Sequence, residues 1–223
     1  MSGGVDSSVA ALLLKEQGLD VIGVAMKTHE GEGEAESRSH TCCAARDIQD
    51  ARRVCQILDI PFYPLNLKEE FQEEVINYFG AEYGRGRTPN PCVQCNDKLK
   101  FSALLNKARQ LGSYFLATGH YVQRAQDRNG RYHLLKARDH DKDQSYFLFG
   151  LNQIQLEHLL FPIGRYRKEE VREMARKAGL ETADKPESQE ICFISNGSYA
   201  DFIGSHMPAY RGNPGVIVNR EGS

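Results

Sequence analysis

The chain has 223 residues, 40% hydrophobic and 26% charged, with 28 Lys and Arg against 30 Asp and Glu. This near-average composition argues against disordered, collagen-like and fibrous chains, and a net charge of −2 leaves nucleic-acid binding to a local basic face. No apolar run reaches the ~18 residues that span a bilayer, and Met1 passes straight into Ser-Gly-Gly-Val-Asp without a signal segment. A cytoplasmic location, no membrane and six reduced cysteines are therefore expected.

In chain order, Ser7–Gln17 places Val9, Ala10, Leu12, Leu13 and Leu14 on a wide apolar face and predicts a helix. Asp20–Met26 is a continuous apolar run, as in a strand covered on both faces. Residues 29–40 are rich in Gly, Glu and Ser and predict a loop. Thr41–Leu58 predicts a helix, Pro61–Leu67 a strand and Glu69–Tyr83 a helix. Lys98–Leu111 predicts another helix, stopped by Gly112, and Ser113–Thr118 a strand ending in Gly119-His120. Such strand–helix repeats predict an α/β fold with a doubly wound parallel sheet and right-handed crossovers.

After Tyr121 the pattern changes. Asn129-Gly130 between Arg124 and Lys136 marks a hairpin, and helices are expected near Leu151–Leu160 and Lys168–Gly179. The predicted organisation is an α/β domain over 1–121, a small, mostly helical module over 122–207, and the start of a β domain over 208–223, opening at Gly212–Gly215 and Val216–Val218.

Ser2-Gly3-Gly4-Val5-Asp6-Ser7-Ser8, followed at once by a helix, carries the strongest chemical signal. Two glycines admit a ligand close to the backbone, the serines add hydroxyls, and the helix start carries about half a positive charge, together a cradle for phosphate. It is neither a Walker loop nor a Gly-x-Gly-x-x-Gly fingerprint. Asp6 could hold Mg²⁺ on the phosphates or serve as an ordinary first-turn acid.

Cys92 and Cys95 sit three positions apart in the stretch Thr88–Asn96, with Cys95 just before a helix expected to begin near Asp97, where the helix start favours thiolate. Such a pair fits a redox couple, half a zinc site or part of an iron–sulfur site. Cys192 stands in Ile191-Cys192-Phe193-Ile194, where a buried small hydrophobe is the plain alternative. Cys42 and Cys43 are adjacent, pointing ~100° apart on a helix, and Cys55 falls on an apolar face, so none of the three is placed in the site. The basic run Arg165, Arg167, Lys168, Arg172, Arg176 and Lys177 is either a solvated helix face or a set of phosphate contacts.

The glycine loop resembles that of the ATP pyrophosphatase superfamily, in which it hangs from a first strand. Here only Met1 precedes it, so either the chain is truncated at its start or that strand is missing. Six strings resemble the tRNA-specific 2-thiouridylase (MnmA) family over nearly the whole chain: Ser2–Ser8, Met26-Lys27, Gly86–Asn96, Ala117–Tyr121, Lys142–Leu148 and Ile191–Ile194. The resemblance implies ATP-dependent adenylation of C2 of a tRNA wobble uridine, followed by substitution with sulfur. It implies that Met1, Ser2, Gly3, Gly4, Val5, Asp6 and Ser7 hold the ATP phosphates, while Met26 and Gly119 touch the nucleoside. By the same resemblance, Asn90, Pro91 and Cys92 meet the target base, and His120, Lys142, Asp143 and Gln144 meet tRNA. Cys192 would carry a persulfide from a cysteine-desulfurase relay, and Cys95 would release the sulfur by forming a disulfide with it. Cys92 keeps a second mechanism open, in which Cys92, Cys95 and Cys192 hold a [4Fe–4S] cluster. Another adenylating reaction, or a catalytically silent fragment that binds nucleotide or RNA, are the competing readings.

Overall fold

The computed structural model describes residues 1–28, 45–187, 191–194, 199–206, 215–216 and 218–221. The expected loop at 29–40, the helix start at 41–44, Cys42, Cys43, the opening at 212–214 and Ile217 of the last expected strand lie outside them. Among the described residues no helix is long and apolar enough to cross a membrane.

Helix α1 (Val5–Glu16) starts two residues earlier than its apolar pattern suggests, because Gly4 takes an extended N-cap conformation and places Asp6 in the first turn. Strand β1 (Gly23–Lys27) pairs in parallel with β2 (Phe62–Asn66), from Gly23 opposite Phe62 to Lys27 opposite Asn66. The crossover between them includes α2 (Ala45–Ile57). A second parallel pair joins β3 (Leu116–Ala117) to β6 (Leu159–Leu160). The parallel, helix-connected plan matches the expected α/β class, but the described strands form two parallel pairs rather than one sheet. Residues 1–7 run between the pairs: the Met1 amine donates to the Val24 carbonyl of β1, and the Asp6–Ser7 backbone lies against Gly119, just past β3.

The helix expected from Glu69 is continuous from α3 (Lys68–Phe71) through wider turns at Gln72–Asn77 into α4 (Tyr78–Gly84). The next begins earlier than expected. Helix α5 (Pro91–Gln94) runs through Cys95–Leu104 into α6 (Leu105–Gln110), starting seven residues before Lys98. Asn90 causes this: its side chain accepts from the Cys92 and Val93 amides at 3.1 and 3.2 Å, with Pro91 in the first helical position.

The hairpin of β4 (Val122–Gln126) and β5 (Tyr132–Lys136) forms as its Asn-Gly signal predicts, with Gly130 at φ +81° and Asp127 accepting from the Asn129 and Arg131 amides. The helix expected over Leu151–Leu160 shrinks to α7 (Gln153–Glu157), capped reciprocally by Asn152 and Gln155. Leu159 and Leu160 extend instead as β6, because pairing with β3 outweighs the helical spacing. Helices α8 (Lys168–Lys177) and α9 (Tyr199–His206) follow.

Three apolar clusters hold these elements. One joins α1 to α8 through Val9, Val54, Ile163, Val171 and Ala175. A second gathers Phe71, Val75 and Phe79 with Leu99, Ile194 and Phe202, and a third centres on Phe101, Val122, Leu148 and Leu159. A fully buried ring such as Phe79 costs about 3–5 kcal/mol to truncate, so these contacts fix where the loops between them sit.

Candidate functional site

The glycine loop is shaped by its own hydroxyls. Ser7 and Ser8 Oγ donate to the Gly4 carbonyl at 3.1 and 2.9 Å, and the Ser2 amide donates to Ser7 Oγ at 3.1 Å. The first amides of α1 have no partner within the helix and carry its positive end. Gly3 has φ +70°, and a Cβ there would fall 2.3 Å from the Asp47 carbonyl oxygen. At Gly119 a Cβ would fall 2.6 Å from the Asp6 and Ser7 backbone. Both positions are therefore restricted to glycine, and Gly119 braces the loop from the end of β3. Met26, half-buried, lies near the carboxyl end of β1, so Met26, Gly119 and the loop share the carboxyl edge of the strands, where α/β folds bind ligands.

Charges from the distant end of the chain surround this loop. Lys168 Nζ lies 2.7 and 2.8 Å from the two Asp6 oxygens and 2.9 Å from Glu187, and Glu187 also pairs with Lys142 at 2.8 Å. The Tyr121 hydroxyl donates to Asp6 at 3.0 Å. Lys185 donates to the Gly3 carbonyl at 3.0 Å and pairs with Asp47 and Asp50, both at 2.5 Å. Burial raises the Tyr121 phenol, and the Asp6 carboxylate raises it further. Burial pulls Glu187 upward too, but hydrogen bonds from Lys142 and Lys168 prevail and bring it down to about 2. Sequence reading did not find Lys185, Glu187 or Tyr121, and it left Lys168 in a basic run. Their partners lie up to 182 positions away, beyond any local pattern.

Asp6 therefore meets a lysine with both oxygens, and the residues present offer Mg²⁺ no open carboxylate at this position. The basic run is largely committed inside the chain. Lys168 is buried, Arg172 donates to the Ala183 and Lys185 carbonyls, Arg176 pairs with Asp184 and Lys177 with Glu173. The stretch Lys142–Gln144 is similarly engaged. Asp143 accepts from the Ala137 amide and Ser145, and Gln144 exchanges hydrogen bonds with the Tyr121 backbone. His120 is half-buried, its Nδ1 2.8 Å from Thr118 Oγ1 and its ring against Phe101, and burial holds its pKa well below the ordinary imidazole range.

Cys92 is exposed in the first turn of α5, while Cys95, half-buried, follows in the next. The earlier helix start moves the favoured position for thiolate from Cys95 to Cys92. Cys95 and Cys192 both pack on the cluster of Phe71, Phe79 and Leu99, where the Phe193 ring meets Phe79 edge-on at 5.3 Å. Two cysteines 97 positions apart in sequence thus pack on one apolar cluster. Among the described residues no three His, Cys, Asp or Glu side chains converge on a point, so Cys92, Cys95 and Cys192 do not form a ready donor set for a cluster. Cys55 is core, 1% exposed, with burial raising its pKa. A cleft of about 190 Å³ lined by Leu14, Gln17, Arg124, Phe161 and Tyr166 opens at the other end of α1 and holds none of the expected site residues.

A family model described as tRNA methyl transferase HUP domain matches residues 1–196. The tRNA-specific 2-thiouridylase MnmA of Clostridium perfringens is 49% identical over all 223 residues, which cover 62% of that relative. The tRNA-specific 2-thiouridylase MnmA 1 of Caldanaerobacter subterraneus subsp. tengcongensis is 55% identical over 205 residues, 91% of this chain and 56% of the relative. The chain thus spans less than two thirds of the curated relatives' length. Among solved structures, the U34-tRNA thiolase NcsA of Methanococcus maripaludis with its [4Fe-4S] cluster has TM-score 0.51 and 18% identity, over 95% of this chain and 66% of its own, a likeness of fold. The chain belongs to the tRNA methyl transferase HUP-domain family, alongside relatives named tRNA-specific 2-thiouridylase.

Proposed function

We propose that this chain carries the ATP site and the sulfur-transfer site of a tRNA-uridine 2-sulfurtransferase. The observation that carries the reading is the seating of Cys95 and Cys192 on one apolar cluster, in a chain about half identical to relatives named 2-thiouridylase. Residues 1–121 supply the nucleotide loop, 122–207 contribute to the RNA side, and 208–223 lead into a further domain. Ser2 to Ser7 receive the ATP phosphates, and Met26 and Gly119 flank the nucleoside. Asn90, Pro91 and Cys92 meet the target base, with His120 and Lys142 to Gln144 on the RNA side.

The uridine C2 oxygen attacks the α-phosphate and pyrophosphate leaves, which turns a poor electrophile into a good one. A Cys192 persulfide, charged by a cysteine-desulfurase relay, attacks C2 through its terminal sulfur, and AMP leaves with the oxygen. Cys95 thiolate then attacks the Cys192 sulfur, which frees the 2-thiocarbonyl and leaves a Cys95–Cys192 disulfide for an external dithiol to reduce. No step is routed through a metal.

Thiolation of uridine-34 tRNA tests this directly. Cys95→Ser and Cys192→Ser should each abolish product while Cys92→Ser keeps most of it. Iron and acid-labile sulfide at cluster stoichiometry after anaerobic purification, lost together with activity in Cys92→Ser, would replace the persulfide pair by a cluster.

A further inference from the structure

We propose that Tyr146 and Phe149 form a stacking step for an unpaired nucleobase of the RNA substrate, beside Cys92. The proposal rests on the RNA reading above and adds a recognition surface to it. Tyr146 is 65% and Phe149 71% exposed, an unusual outlay of aromatic surface to leave in water. They are three apart, Tyr146 in the tight turn Ser145–Leu148 and Phe149 its C-cap with helical φ and ψ, and positions i and i+3 of such a turn eclipse, so both rings stand on one face. Their centroids are 6.3 Å apart and their planes 47° to each other.

The residues between them anchor the turn, and the Phe147 ring also meets Tyr146 edge-on at 5.5 Å. Leu148 is 2% exposed, and Phe147 packs on the cluster of Phe101 and Val122. The rings therefore ride on an anchored support and lose little freedom when a partner covers them. The buried Asn96 side chain donates to the Phe147 carbonyl at 3.4 Å, and the turn packs against α5, which presents Cys92 to solvent. The turn that carries the rings is thus joined to the helix that carries the exposed thiol.

Size and chemistry select the occupant. Two aromatic side chains offer roughly 300–500 Å² together, short of the ~800 Å² per partner of a stable protein interface but enough for one or two bases. Of the residues that flank them, Ser145, Gly150, Asn152 and Gln153 are polar or small, Leu151 packs on the third cluster and Ile154 is exposed, and flat π faces accept any base without hydrogen-bond readout.

The test measures affinity for a labelled anticodon stem-loop RNA. Tyr146→Ala and Phe149→Ala should each weaken binding roughly five- to hundred-fold, with the salt slope unchanged because no phosphate contact is lost. Tyr146→Leu/Phe149→Leu, which keeps apolar bulk without π faces, should weaken it as well. The chain contains no tryptophan, so Tyr146→Trp creates a lone indole that should retain binding and be quenched as RNA is added. Melting temperature and ATP-analogue affinity should match the unsubstituted chain throughout. Wild-type RNA affinity in the leucine variant overturns the proposal. So do alanine variants that keep RNA affinity but lose persulfide uptake from a donor protein, an outcome that assigns the rings to protein docking. Failure of the unsubstituted chain to bind RNA overturns the function above along with this step.

Discussion

Lys168 joins the first turn of α1 to the first turn of α8: its ammonium lies 2.7 and 2.8 Å from the two oxygens of Asp6. The lysine side chain is 8% exposed and the aspartate 32%. Removing one member of so enclosed a pair leaves the other charge in a poorly solvated place, which outweighs the direct attraction lost.

Lys168→Met should therefore destabilise the fold by about 3 kcal/mol. Asp6→Asn should cost less, since Lys168 keeps Glu187 at 2.9 Å. A double-mutant cycle by urea unfolding should return a coupling of about 1–3 kcal/mol. Strict additivity of the two substitutions would show that the pair contributes nothing of its own.

Gly119→Ala should act on the loop rather than on the strand that carries it. The new methyl meets the Asp6 and Ser7 backbone at 2.6 Å, which cannot yield as a flexible side chain can. Overpacking of this kind costs about 1–3 kcal/mol, and calorimetry with a non-hydrolysable ATP analogue should show at least a roughly tenfold loss of affinity. Unchanged affinity would mean that the loop does not hold the phosphates.

Acid should weaken the fold in two stages. Burial holds folded His120 well below its ordinary value of 6.5, so the unfolded chain gains the proton first and stability falls as pH drops through that value. Glu187 is depressed from 4.5 to about 2, so the stability it gives is complete above 4.5 and lost on the way down to about 2. Melting temperatures from pH 8 to pH 4 should show the first stage and the onset of the second. His120→Asn should remove the first alone.

Cys55→Ser should separate core cysteine from site cysteine. The thiol is 1% exposed, and a Cβ on Gly23 would fall 2.3 Å from its sulfur. Replacing sulfur with a hydroxyl there should cost about 1–3 kcal/mol in urea unfolding without changing the thiolation rate per folded molecule.

The glycine loop, the main helices and the hairpin were legible because each is written in adjacent residues: Gly3 and Gly4, the spacing of Val9 to Leu14, and Asn129-Gly130. Two elements were not, for different reasons. Asn90-Pro91 has the composition of a turn, and the bonds from the Cys92 and Val93 amides to the Asn90 side chain turn it into a helix start. Leu159 and Leu160 carry a helical spacing that partner strand β3 overrides. The ionic surroundings of the loop were invisible for a third reason. The sequence shows Lys168 beside Arg165 and Arg167, and nothing in that run distinguishes the buried cation from its exposed neighbours.

Lys185 and Lys168 give the loop a place in the order of synthesis. Residues 2–7 are made well before the cations that meet the Gly3 carbonyl and the Asp6 carboxylate, which follow 182 and 162 positions later. Until then the nascent glycine loop has an acid without its counter-charge and a carbonyl without its donor. The glycine loop is thus translated well before the residues that complete its surroundings, and its final arrangement waits for a segment as distant as Lys185.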